Sequence, residues 1–299
     1  MAIGVETPKK LLRILCLHGY KQNAVAFRSK TAVLRKSLKD IAEFIYVDAP
    51  HMVDESKGSS SWWRASKDGK EYRGWEQTLD YLRNVFETQG PFDGVIGFSQ
   101  GAVLASLICS ISSLNNDNYN YNEDSNNSCF QIKFALLFSG FQSRATAHQS
   151  LYPQSSPPPS SSAISTTLKN GENSGCECCS VTQFEMEHTT TTPSSSSSSH
   201  QHQQQHSPPS PTSLSLTSST STTPTTSFYP LAKINTPSLH VWGKADELVA
   251  ASNCESLSHQ FSNPECYVHE FGHLIPTSKT DIQIYHNFLA KFLKDCGLE

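Results

Sequence analysis

Apolar residues gather along this chain in short runs, each closed by a turn residue. Leu12–Leu17 (LRILCL) is continuous in apolar character, as expected of a strand covered on both faces. His18-Gly19-Tyr20 ends it. Phe27, Thr31, Leu34 and Leu38 then recur at helical spacing. Residues 43–47 read as a second strand, and residues 51–70 as a polar loop around Trp62-Trp63. Trp75, Leu79, Leu82 and Phe86 mark a helix that Gly90-Pro91 stops. Residues 94–98 (GVIGF) predict a third strand, with a helix over 102–114 behind it. Further strands are expected at 132–138, 239–242 and 266–270. A closing helix carries Ile282, Tyr285, Phe288, Leu289, Phe292 and Leu293 on one face. Strands alternating with helices predict a mostly parallel sheet with helices on both faces.

Two stretches break this rhythm. Residues 115–127 are Asn-rich, and residues 150–227 are almost wholly Ser, Thr, Pro, Gln and His. Such compositions bury too little apolar surface to offset the entropy of ordering, which predicts disorder in the longer stretch. They account for the low hydrophobic share of 36%. The expected organisation is one α/β domain over 11–299, interrupted at 115–127 and 150–227. Without the long insert roughly 220 residues remain, enough for a well-buried core.

Net charge is −4 and the isoelectric point is near 6.3, with no basic cluster to bind nucleic acid or a membrane surface. Residues 1–10 show no charged segment leading into an apolar run, so a cytoplasmic protein is expected, with the nucleus left open. The nine cysteines are scattered. Cys16 and Cys109 sit in apolar runs as expected buried thiols. The C-x-C-C cluster of Cys176, Cys178 and Cys179 lacks a matching pair for zinc.

Gly97-Phe98-Ser99-Gln100-Gly101 matches G-x-S-x-G between an apolar strand and an Ala/Leu-rich helix. In that setting a sharp strand-to-helix turn lifts a serine hydroxyl clear of the sheet, beside a helix N-terminus that favours developing negative charge. Ser99 is therefore the expected nucleophile. An acid and then a histidine should follow it, past the ends of later strands. Asp246 follows the fifth strand, with Glu247 beside it as the alternative acid. His273 follows the sixth. The backbone N–H groups of Gln100 and Tyr20 are assigned to an oxyanion hole, and His18 to orienting the first loop.

The segments LRILCLHGYKQNA (11–24), YVDAPH (46–51), SWWRAS (61–66), GPFDGVIGFSQGA (90–102), FALLFSGF (134–141), PSLHVWGKADELV (237–249) and the turn at Gly272-His273 resemble the FSH family of serine hydrolases, the ovarian-cancer-associated hydrolase type. The resemblance implies an α/β-hydrolase fold and a Ser99–Asp246–His273 triad. It also implies esterase or thioesterase activity on a small acyl substrate without cofactor or metal. Phe271 departs from it, standing where the family usually has a second glycine.

Two-step acyl transfer is the expected chemistry, with Trp62 and Trp63 assigned to the acyl pocket. Hydrolysis and transfer to another acceptor are not separated by these residues. His269-Glu270-Phe271-Gly272-His273 also reads H-E-x-x-H, a zinc-peptidase pattern. That chemistry needs a helix, which Gly272, Pro276 and the preceding strand-like run oppose. A third reading is a non-catalytic scaffold whose long insert binds a protein partner.

Overall fold

The computed structural model describes residues 10–116, 130–153 and 233–293. The first apolar run forms β1 (Leu12–Leu17). Two short helices follow, α1 (Ala24–Lys30) and α2 (Ala32–Ser37), where the sequence pattern suggests one. They meet at Thr31, whose hydroxyl turns back to the Phe27 carbonyl at 2.8 Å and to the Tyr46 hydroxyl at 2.5 Å. This competition with the backbone is how threonine interrupts a helix. Next comes β2 (Ala42–Val47).

Residues 51–70 are not the polar loop expected. Strands β3 (His51–Asp54) and β4 (Ser59–Ser61) pair antiparallel, as do β5 (Arg64–Ala65) and β6 (Tyr72–Arg73). Between these pairs the chain dives inward at Trp62 and Trp63. Helix α3 (Trp75–Gln89) leads to β7 (Gly94–Phe98), α4 (Gln100–Asn116) and β8 (Phe134–Phe138). The last third holds β9 (Ser238–Gly243), α5 (Ala251–Ser258), β10 (Pro264–His269) and α6 (Lys279–Ala290). Phe292 and Leu293 lie just beyond α6 but still pack on the core.

The main sheet has six parallel strands in the order β10-β9-β8-β7-β1-β2. Alternate side chains of each strand serve opposite faces. Leu15 and Leu17 of β1, with Ala135 and Leu137 of β8, join the layer under α3 and α4. Leu12, Ile14 and Cys16, with Phe134, Leu136 and Phe138, join the layer under α1, α2 and α6. This two-sided burial explains why the strands read as unbroken apolar runs. Cys16 and Cys109 are both fully buried.

The long insert begins later than its composition suggests. Residues 146–151 form a 3₁₀ helix, and Tyr152 is fully buried, its hydroxyl 3.1 Å from Ser106 Oγ and accepting the Ser143 N–H at 3.2 Å. The core resumes by Ile234, which bridges to Phe261. The expected disorder, Cys176, Cys178 and Cys179, and most of both predicted inserts lie outside the described residues. Among the described residues no helix is long and apolar enough to cross a membrane.

Candidate active site

The sheet order reverses at β1, which pairs with β2 on one side and β7 on the other. In open parallel sheets the crevice at such a point, beyond the carboxyl ends of the strands, is where ligands bind. Leu17 of β1 is in register with Gly97 of β7, so the loops carrying Tyr20 and Ser99 leave the sheet side by side. His269 of β10 is in register with Gly243 of β9, which does the same for the loops carrying His273 and Asp246.

Ser99 stands at the turn between β7 and α4 with φ +53°. A serine seldom adopts this left-handed conformation, and such strain clusters at functional turns. The two glycines of the motif are steric requirements. A Cβ on Gly97 would collide with the Gly101 carbonyl and stand 2.5 Å from Ala102 Cα. A Cβ on Gly101 would collide with the Leu17 carbonyl of β1 and lie 2.6 Å from that of His18. The turn is tied down by the Ser99 N–H, which donates to the Phe138 carbonyl at 2.9 Å.

Asp246 and His273 meet. His273 Nδ1 donates to Asp246 Oδ2 at 2.7 Å, and the Asp246 carboxylate side chain is fully enclosed. Its other oxygen accepts the N–H groups of Leu248 and Val249, both at 2.9 Å. Burial alone would raise the Asp246 pKa. The Val249 N–H, the hydrogen bond and charge of His273, and the Ser139 hydroxyl outweigh it and hold the carboxyl below its ordinary value. A carboxylate can only accept, so His273 carries its proton on Nδ1 and leaves Nε2 as a base. The imidazole packs on the ring of Phe98, the residue before Ser99, with centroids 4.7 Å apart. Glu247 makes no such contact with the histidine.

Neither the Tyr20 nor the Gln100 backbone N–H has an acceptor among the described residues. That leaves both groups free for the role assigned to them. The Gln100 side chain does something the sequence did not announce. Its carbonyl oxygen accepts the Trp62 N–H and its amide donates to the Trp63 carbonyl, both at 3.0 Å. His18 is fully buried and structural, as expected: Nδ1 donates to the Gly19 carbonyl at 2.8 Å and Nε2 accepts the Ala49 N–H at 3.0 Å. Burial pushes its pKa down, so it is neutral at ordinary pH.

Trp62 and Trp63 differ from the pocket-wall expectation. Both are buried, at 0% and 2% exposure. Trp62 Nε1 donates to the His18 carbonyl at 2.8 Å, and Trp63 stacks on Tyr72 with centroids 4.6 Å apart. They are enclosed and tied to His18 and Gln100 rather than facing open space. A cavity of about 710 Å³ is lined by Tyr72, Trp75 and His148 among others, and none of Trp62, Trp63, Ser99, Asp246 and His273 lines it.

The H-E-x-x-H segment is not helical. His269 ends β10, and residues 270–273 form bends. His269 Nδ1 accepts the Phe271 N–H at 3.2 Å, and the exposed Glu270 pairs with Lys244 at 2.6 Å. The two histidines therefore do not share a helix face, as the peptidase chemistry requires. Phe271, in place of the expected glycine, points outward with 57% exposure.

A family model described as Serine hydrolase (FSH1) matches residues 7–285. Esterase OVCA2 of Xenopus tropicalis is 27% identical over 319 aligned positions, which cover 97% of this chain and 99% of that protein. Esterase CG5412 of Drosophila melanogaster is 25% identical, covering 98% of this chain and 78% of its own. Esterase C25G4.2 of Caenorhabditis elegans reaches 37% identity over a shorter alignment, 47% of this chain and 64% of its own. Among solved structures, the Bacillus cereus carboxylesterase is 12% identical, covers 95% of this chain and 89% of its own, and has a TM-score of 0.47. With the G-x-S-x-G turn in place and the family match running across both sides of the long insert, the chain belongs to the FSH1 family of serine hydrolases.

Proposed function

We propose that this hydrolase cleaves carboxylic esters or thioesters by two-step acyl transfer through Ser99, His273 and Asp246. The observation that carries the reading is the 2.7 Å His273–Asp246 hydrogen bond, on an imidazole packed at a 45° tilt against the ring of Phe98, the residue that leads into Ser99. Ser99 Oγ attacks the acyl carbonyl carbon while His273 Nε2 takes its proton. Asp246 holds the imidazole in the required tautomer and stabilises the imidazolium. The Gln100 and Tyr20 N–H groups receive the oxyanion. His273 then returns the proton to the leaving alcohol or thiol. In the second half it deprotonates water, which releases the acid and restores Ser99.

The domain reading is part of the same proposal. One α/β-hydrolase domain spans 11–299 and carries two insertions, one at 115–127 and a long one that begins only after Tyr152, not at 150, and runs to about 227. The family match from 7 to 285 supports it.

A fluorophosphonate probe tests the nucleophile. The wild-type chain becomes labelled and loses p-nitrophenyl ester and acyl-thioester hydrolysis together. Ser99→Ala removes labelling and lowers turnover by about three decades or more. Labelling that survives in Ser99→Ala places the nucleophile elsewhere.

A further inference from the structure

Strand β8 lies between β7, which delivers the nucleophile, and β9, which delivers the acid. The residue at its carboxyl end, Ser139, is left out of the chemistry described so far. Three features set it apart. Its backbone has φ +48°, so like Ser99 it is a non-glycine residue in the left-handed region. Its side chain is fully buried, and its Oγ has no partner at standard hydrogen-bond geometry. A buried hydroxyl left so is costly, as is the conformation, and neither persists unless the surroundings enforce it.

The surroundings do enforce it. The Ser139 N–H donates to the Val241 carbonyl of β9 at 2.8 Å. The carbonyl of the preceding residue, Phe138, receives the Ser99 N–H at 2.9 Å. Ser139 is thus stitched on one side to the nucleophile turn and on the other to the strand that leads to Asp246. The Ser139 hydroxyl helps to hold the Asp246 carboxyl below its ordinary value, after the Val249 N–H and His273. That carboxylate already accepts from two backbone N–H groups and from His273. A carboxylate has about four lone-pair sites, so one remains for a further donor. In resting enzymes catalytic hydrogen bonds are often long and shorten as charge develops.

We infer that Ser139 is a positioning residue of the hydrolytic reaction, whose buried hydroxyl supplies the last donor to Asp246 and keeps that carboxylate aimed at His273. It touches no reacting atom and acts only through Asp246. This inference rests on the triad reading above.

The test compares Ser139→Ala, Ser139→Gly and Asp246→Asn, singly and combined, in steady-state ester hydrolysis with melting curves alongside. Ser139→Gly accepts the left-handed backbone without strain, so it stays folded even where Ser139→Ala does not. Both Ser139 variants are expected to lower kcat about tenfold, the scale for losing a hydrogen bond to a charged group, with KM within about twofold. Added to Asp246→Asn, either change is expected to cost little more, because the group it serves is already gone. A Ser139→Gly enzyme with wild-type kcat would overturn the inference, since the hydroxyl would then be idle. Fully multiplicative losses in the double variants would overturn it as well. Wild-type turnover in Asp246→Asn alone would instead defeat the triad assignment, a separately recognisable result.

Discussion

Ser99 sits at a point where activity and stability should oppose each other, and the structure allows the trade to be sized. At φ +53° an L-residue experiences a close approach of Cβ to the backbone, costing about 1–2 kcal/mol relative to the right-handed region. Ser99→Ala retains Cβ and so retains the strain. Ser99→Gly removes it, at the expense of a more flexible unfolded chain worth about 0.4–1 kcal/mol. Taking the middle of each range, the glycine variant should therefore be more stable than the alanine variant by about 0.8 kcal/mol. Both lack the hydroxyl, so its loss cancels in the comparison. For a domain of this size the difference corresponds to about 1–4 °C in Tm. Urea unfolding at a common pH, with reversibility checked, gives the free-energy difference directly, and calorimetry gives the Tm. Both variants are inactive. A glycine variant equal to or less stable than the alanine variant would refute the idea that the turn stores strain.

Three other outcomes are expected. Asp246→Asn should lower kcat by several decades, on the ~10⁴ scale seen when the acid of a triad loses its charge, whereas Glu247→Gln stays near wild type in the same assay; the reverse order would move the acid to Glu247. Burial pushes the pKa of His240 from 6.5 down to about 3. The unfolded chain then binds more protons than the native one between those values, so stability is complete above pH 6.5 and falls as pH drops. Between pH 6.5 and 5 this histidine alone removes about 2 kcal/mol, and His240→Gln, followed by urea unfolding at both pH values, should lose correspondingly less; an unchanged loss would contradict the assignment. Replacing residues 155–222 with a short Gly/Ser linker should leave ester hydrolysis and Tm nearly unchanged, because loop closure depends weakly on length; a collapse of either would mean that the insert contributes to the core or the site.

Much of this molecule was legible in the residue order. The four inner strands of the main sheet are buried on both faces and stood out as apolar runs, whereas the edge strands β2 and β10 were read from shorter apolar stretches; their order along the chain placed Ser99, Asp246 and His273 after the third, fifth and sixth. The G-x-S-x-G glycines were readable because the crowding they relieve is local to one turn. Hidden from the sequence were contacts made across it. Trp62 and Trp63 sit in a polar stretch and read as a loop, yet Gln100, nearly forty positions away and next to Ser99, fastens their backbone. Tyr152 looked like the edge of a low-complexity tract until Ser106 and Ser143 drew it into the core. The meeting of Asp246 with His273 follows from the pairing of β9 with β10, a choice of neighbour that periodicity does not encode. Ser139 was the least visible of all. A serine at the end of an apolar run carries no mark of a left-handed backbone or of a fully buried hydroxyl, because both arise only when β8 is laid between the strands on either side.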